Sequence, residues 1–151
     1  MNVNKISEHL WLGNYEAAKD SSFFQTHNIK FVVNCTRDLP YPEFYKELGI
    51  KAIRLPINDI DTSDNNAVLI NNMDSLLEQI NSQIQSKHNV LVHCFAGVSR
   101  SATTVACYLI KYYNFRYDLA IFFIQWKRPV AFRPTPMFRR FLMQFAQTTP
   151  R

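Results

Sequence analysis

With 151 residues, 47% hydrophobic and 14% aromatic, the chain is too apolar for disorder and of the right size for one folded domain over residues 1–151. No apolar run reaches the length of a membrane span, and the first residues lack the charged-then-apolar pattern of a signal peptide. Three cysteines without framework spacing fit a reducing compartment, and a net charge of +5 suits an anionic partner without choosing among phosphate, nucleic acid and acidic lipid.

Residues 3–13 read as two short extended pieces joined by a turn. Leu10 and Leu12 alternate with Trp11 up to Gly13, and Asn14 is placed to cap a short helix over residues 16–19. The run from Ile29 to Cys35 is rich in β-branched and aromatic residues and reads as a central strand. Cys35 reads as a small core residue, with a resolving thiol as the functional alternative. Thr36 to Leu48 holds two prolines and several aromatics and reads as a surface loop or irregular helix. Ile53, Leu55 and Ile57 then alternate, so a strand ends near Pro56 and runs into Asn58-Asp-Ile-Asp-Thr-Ser-Asp64. Asp59, Asp61 and Asp64 lie in that loop, where a single aspartate is ordinarily a turn residue or a cap. Asp64 or Asn65 is the expected cap of the next helix. Leu69, Met73, Leu76, Leu77, Ile80 and Ile84 set its spacing over residues 67–86.

Val90-Leu91-Val92 is a short apolar strand. Turn chemistry follows at Gly97 and Ser99, and a helix with little polar surface occupies residues 101–113, with Cys107 in its core. Residues 117–126 form a further helix. Its aromatics Phe122, Phe123 and Trp126 are expected in the core. After Pro129, Pro134 and Pro136, a last helix carries Phe138, Phe141, Leu142 and Phe145 on one face. Lys127, Arg128, Arg133, Arg139 and Arg140 make this tail basic, and charge runs are usually solvated faces.

Strand, tight loop and helix around Cys94 make an anion site, because such a loop points backbone N–H groups at one spot at the positive end of a helix dipole. Cys94 opens the loop and Arg100 closes it. A cysteine that faces helix N–H groups and a guanidinium is favoured as the thiolate, which can attack phosphorus. Arg100 offers a planar fork that matches two phosphate oxygens. Gly97 allows a positive φ and close approach, Ser101 can donate to the Cys94 sulfur, and His93 is expected to orient the loop. The loop residues Phe95, Ala96, Gly97, Val98, Ser99 and Arg100 are the expected phosphate binders.

His93-Cys94-x-x-Gly97-x-x-Arg100-Ser101 resembles the signature of the cysteine-dependent protein tyrosine phosphatases, and its Cys-x-Ala-Gly-x-Ser-Arg-Ser form is most similar to the dual-specificity, VH1-like branch. The resemblance runs from about Ile6 to Phe145. It implies an α/β fold with a twisted central sheet of about five strands flanked by helices. It also implies hydrolysis of phosphotyrosine and phosphoserine or phosphothreonine through a phosphocysteine, with no metal and no cofactor. The family's general acid follows a strand resembling Ile-Pro-x-x-Asp. Leu55-Pro56-Ile57-Asn58-Asp59 matches best, which assigns the acid to Asp59 with Asp61 in reserve. The catalytic set is then Cys94, Arg100, Asp59 and Ser101.

One departure is Thr135, where the family usually has asparagine. The long segment that deepens the pocket of tyrosine-specific relatives is absent, so a shallow pocket open to phosphoserine and phosphothreonine is expected. The N-terminal extension some relatives use to dimerise is not expected either, so a monomer is expected. Phosphorylated proteins are the expected partners rather than nucleic acid, and the cytoplasm or nucleus the expected location. An RNA 5′-phosphatase or phosphoinositide phosphatase would favour basic residues inside the loop, and Phe95, Ala96, Val98 and Ser99 supply none. A pseudophosphatase that only binds phosphoproteins is at odds with an intact Cys94 and Arg100.

Overall fold

The structure, a computed structural model, describes residues 1–150. Its centre is a five-stranded mixed sheet of β1 (Val3–Ser7), β2 (Leu10–Gly13), β3 (Ile29–Asn34), β4 (Lys51–Arg54) and β5 (Asn89–His93). The order across the sheet is β1-β2-β5-β3-β4. Only β1 is antiparallel to its neighbour; β2, β5, β3 and β4 run parallel. Parallel strands all end at one edge, and the register lines those ends up. Gly13 pairs with His93, His93 with Asn34, and Asn34 with Arg54. The residue after the central end is Cys94, so the chain leaves the sheet there with a strand on either side.

Side chains alternate across a strand. Val90 and Val92 join Leu10, Leu12, Phe31 and Val33 in the larger core, and Leu91 joins Ile29 and Val32 in the smaller one. Because both faces are covered, β5 reads as an unbroken apolar run rather than an alternating one. The larger core is closed by α4 (Ser63–Gln85), α5 (Arg100–Tyr112), α6 (Tyr117–Lys127) and α7 (Arg139–Thr148). The smaller lies under α1 (Tyr15–Ala18), α2 (Ser21–Thr26) and α3 (Phe44–Glu47). The α5 stretch from Ser101 to Ile110 is buried throughout, as its lack of polar surface implies. No helix of the described residues is long and apolar enough to cross a membrane.

Several boundaries differ from the sequence reading. Thr62 caps α4, accepting from the Asn65 N–H at 3.2 Å, so the helix starts ahead of its first periodic apolar residue. Asn65 lies inside it and is free for another task. α2 was not expected. Its six residues are too few to show a period, although Asp20 caps it through the Phe23 N–H at 3.2 Å. α6 is only partly core. Ala120 and Ile124 bury its inner face, while Phe122 and Trp126 are 68% and 67% exposed. A helix apolar all round cannot show by its pattern which face turns inward.

Leu91 is the one apolar β5 side chain on the smaller face, packed among residues from three short helices. Leu91→Ala should cost about 2–5 kcal/mol, measured as a lower urea midpoint at unchanged slope. A change below about 1 kcal/mol would mean that the small core collapses onto the gap.

Candidate active site

The loop from Cys94 to Arg100 joins the end of β5 to α5. Cys94 is buried at its base, with Ser101 Oγ 3.0 Å from the sulfur and the Gly97 N–H donating to it at 3.3 Å. Ser99 is the N-cap of α5 but makes no side-chain capping bond. The first-turn amides of α5 are therefore not taken by the cap. Gly97 has φ +69°, and a Cβ there would lie 2.6 Å from the Gly13 carbonyl oxygen. Both the backbone angle and the close approach to β2 require glycine.

The loop carbonyls are held from outside. His93 Nδ1 donates to the Cys94 carbonyl at 3.1 Å, and the Tyr15 N–H to that of Phe95 at 3.0 Å. Arg128 donates to the Ala96 and Gly97 carbonyls at 3.3 and 2.9 Å, and the Phe132 N–H to that of Val98 at 2.8 Å. In a planar trans peptide the N–H points opposite its C=O. Holding the carbonyls outward therefore turns the following N–H groups inward, which is what an anion cradle requires.

His93 is buried, and burial lowers its imidazole to about 4, so it is neutral at physiological pH. A neutral ring with Nδ1 protonated suits a carbonyl acceptor and an orienting role. Cys35 follows Asn34, the partner of His93, so it lies beside Cys94 in the sheet, and its N–H bonds the His93 carbonyl at 2.8 Å. Its thiol sits 3.4 Å from Thr104 Oγ1, and burial pushes it up to about 12. Cys107 is likewise buried and raised. Both therefore remain protonated, as core cysteines do.

Arg100 connects the loop to the aspartate segment. Its Nη1 donates to the Ile57 carbonyl at 3.2 Å, and its buried Nε has no hydrogen-bond partner. That Nε lies 3.9 Å from Asp59 Oδ1, and the Asp59 side chain is 51% exposed. The other two carboxylates have local tasks. Asp61 accepts from Asn66 Nδ2 at 2.8 Å, and Asp64 lies in the first turn of α4. The structure thus brings Cys94, Ser101, Arg100 and Asp59 to one place and leaves Asp61 and Asp64 at the helix start.

Two residues at the site had no signal in the sequence. Asn65 is buried, accepts from the Asn58 N–H at 3.2 Å, and donates to the Asn58 and Ile60 carbonyls at 2.9 and 2.7 Å. It ties the Asp59 turn to α4. Arg128, expected on a solvated basic face, is 1% exposed behind the loop. Its proximity to a phosphate loop some thirty residues earlier is a product of the fold, although the run of cations around it gave no hint. Thr135 faces α6, sharing a cleft with Ile121, Gln125 and Phe132. Among the described residues no group of three or more His, Cys, Asp or Glu is placed to hold a metal.

The family model described as "Dual specificity phosphatase, catalytic domain" matches residues 10–148. Mouse "Dual specificity protein phosphatase 8" is 32% identical over 127 residues, which cover 84% of this chain and 18% of that protein. The chain therefore spans less than a fifth of that relative's length. Mouse "Dual specificity protein phosphatase 14" is 32% identical over 147 residues, covering 95% of this chain and 68% of the relative. The crystal structure of human DUSP28 is similar in fold, with a TM-score of 0.85 over 97% of this chain and 94% of its own at 23% identity. A match of the family's catalytic-domain model over residues 10–148, together with a loop that sets the Gly97 N–H and Ser101 Oγ on a buried cysteine, places this protein in the dual specificity phosphatase family.

Proposed function

We propose that the chain is a cysteine-dependent protein phosphatase that hydrolyses phosphotyrosine and phosphoserine or phosphothreonine. The observation that carries this reading is the convergence on Cys94. Ser101 Oγ and the Gly97 N–H sit on its sulfur, and Arg100 closes the same loop with an Nε that makes no hydrogen bond among the described residues. In the first step the thiolate forms a bond to phosphorus as the ester P–O bond breaks, and Asp59 gives its proton to the leaving oxygen. In the second step water attacks phosphorus and Asp59 takes its proton. The S–P bond then breaks, the Ser101 hydroxyl stabilises the departing thiolate, and inorganic phosphate is released. Arg100 and the loop amides hold the three non-bridging oxygens in both transition states.

Phe95, Ala96, Val98 and Ser99 add no cation to the loop. An RNA 5′-triphosphate or a phosphoinositide carries several phosphates and would find no extra counter-charge there, which favours a single phosphate on a protein. On this reading the chain acts on phosphorylated proteins, in the cytoplasm or nucleus.

The direct test is hydrolysis of para-nitrophenyl phosphate and of matched phosphotyrosine and phosphothreonine peptides, with and without chelator. Wild type should turn over all three in either condition. Cys94→Ser should abolish turnover and keep phosphopeptide binding, because the amides and Arg100 remain. Turnover by Cys94→Ser near the wild-type level would remove the cysteine mechanism, and binding without turnover by wild type would favour the pseudophosphatase.

Asp59 is tested by leaving group. Phosphopeptides leave as strongly basic oxyanions, so Asp59→Asn should slow them about 10²–10⁴-fold. It should spare an aryl phosphate with electron-withdrawing substituents, which hardly needs the proton. Asp61→Asn should do neither. If the leaving-group-dependent loss followed Asp61 instead, the acid would have to be reassigned.

A further inference from the structure

Arg128 stands at the C-cap of α6 and uses every nitrogen of its guanidinium. Nε donates to the Gly97 carbonyl at 2.9 Å and Nη2 to the Ala96 carbonyl at 3.3 Å. Nη1 donates to the Met1 carbonyl at 3.0 Å and to Asn4 Oδ1 at 2.8 Å. No ion pair involves it among the described residues. A buried cation without a carboxylate is costly, and a fold retains one only where hydrogen bonds satisfy it and something is gained.

What is gained follows from the two loop carbonyls. The Ala96 carbonyl shares its peptide with the Gly97 N–H, and that N–H donates to Cys94 Sγ at 3.3 Å. The Gly97 carbonyl shares its peptide with the Val98 N–H. Pinning both carbonyls back sends both N–H groups forward into the cradle. The contact is close: a Cβ at Gly97 would lie 2.8 Å from Arg128 Nη2. We propose that Arg128 is a positioning residue for the phosphate loop. It holds the Ala96 and Gly97 carbonyls out of the cradle, aims the Gly97 and Val98 amides into it, and anchors that geometry to the first strand through Met1 and Asn4. Its charge lies behind the same loop as the Cys94 sulfur; burial weakens the guanidinium's hold on its proton, and that sulfur offsets part of the effect. The role of the loop rests on the proposed phosphatase reading.

The test compares wild type with Arg128→Met, Arg128→Lys and Asn4→Ala. It measures steady-state kinetics on para-nitrophenyl phosphate, the pH dependence of Cys94 alkylation by iodoacetamide with Cys94→Ser as blank, and thermal melting. Arg128→Met should lower kcat about 10²–10³-fold, the cost of losing an oxyanion donor, with a smaller change in KM. Its alkylation curve should move to higher pH. Arg128→Lys keeps the charge without the fork, so its alkylation curve should stay near wild type while kcat remains low. Asn4→Ala removes one anchor only, and should lower kcat several-fold in a protein that melts like wild type. A folded Arg128→Met with unchanged kcat and alkylation curve, but a lower melting temperature, would make Arg128 merely structural and overturn the proposal. If Arg128→Met does not fold, Asn4→Ala decides, and an unchanged kcat there overturns it. Alkylation needs no turnover, so a wild type inactive on every ester would sink the phosphatase reading while leaving the amide-positioning claim measurable.

Discussion

An anion cannot sit in a ring of carbonyl oxygens, and a loop of peptide units has as many carbonyls as amides. Each loop carbonyl from Cys94 to Val98 must therefore find a donor outside the ring, and each does: His93, Tyr15, Arg128 twice, and Phe132. A buried carbonyl left without a partner costs more than an average hydrogen bond returns. The donors come from the end of β5, the start of α1, the end of α6 and the turn beyond it. The loop is thus shaped by segments from most of the chain's length, and the lining-up of Gly13, His93, Asn34 and Arg54 along the sheet edge is what brings the first two of them within reach.

The two arginines at this site divide the electrostatic work by position. Arg100 faces forward, linking Ile57 and Asp59 to the loop, and its buried Nε has the 3.9 Å ion pair with Asp59 but no hydrogen bond among the described residues. Arg128 faces the back and has no nitrogen to spare. The three cysteines divide in a parallel way. Cys35 and Cys107 are sealed in the core, and desolvation holds them as thiols. Cys94 instead carries a loop amide on its sulfur, the Gly97 N–H at 3.3 Å, with Ser101 Oγ beside it.

What was legible in the sequence was what is local. Cys94, Gly97, Arg100 and Ser101 lie within eight consecutive residues, and their types, together with the strand before and the helix after, define the cradle. The strands showed as short alternating or β-branched apolar runs, and the longest helix and the last one in their apolar periods. Asp59 came only through resemblance, since three aspartates in one turn are chemically equal on paper. The structure separates them by giving Asp61 to Asn66 and Asp64 to the helix start. Asn65 and Arg128 were out of reach for a common physical reason. Their partners are mostly backbone carbonyls, and every residue has one, so no residue type marks the other end of the bond. Phe122 and Trp126 misled because aromatic density announces burial without saying on which side of a helix.

The sheet's two borders also bear on how the molecule behaves among its neighbours. An outer strand offers unpaired backbone groups to any other chain, a route to edge-to-edge association. β4 is only four residues long, begins with the exposed Lys51, and is followed by Pro56, which has no N–H to offer. Its last residue, Arg54, folds back to the Thr36 and Leu39 carbonyls and lies over Tyr41. On the far side, the register of β1 slips between Lys5 and Ser7, which breaks the flat ladder a second strand would need. Both borders are thus poor templates, so a concentrated solution of the folded protein should resist strand-mediated clumping even though its core is a sheet of near-continuous apolar strands.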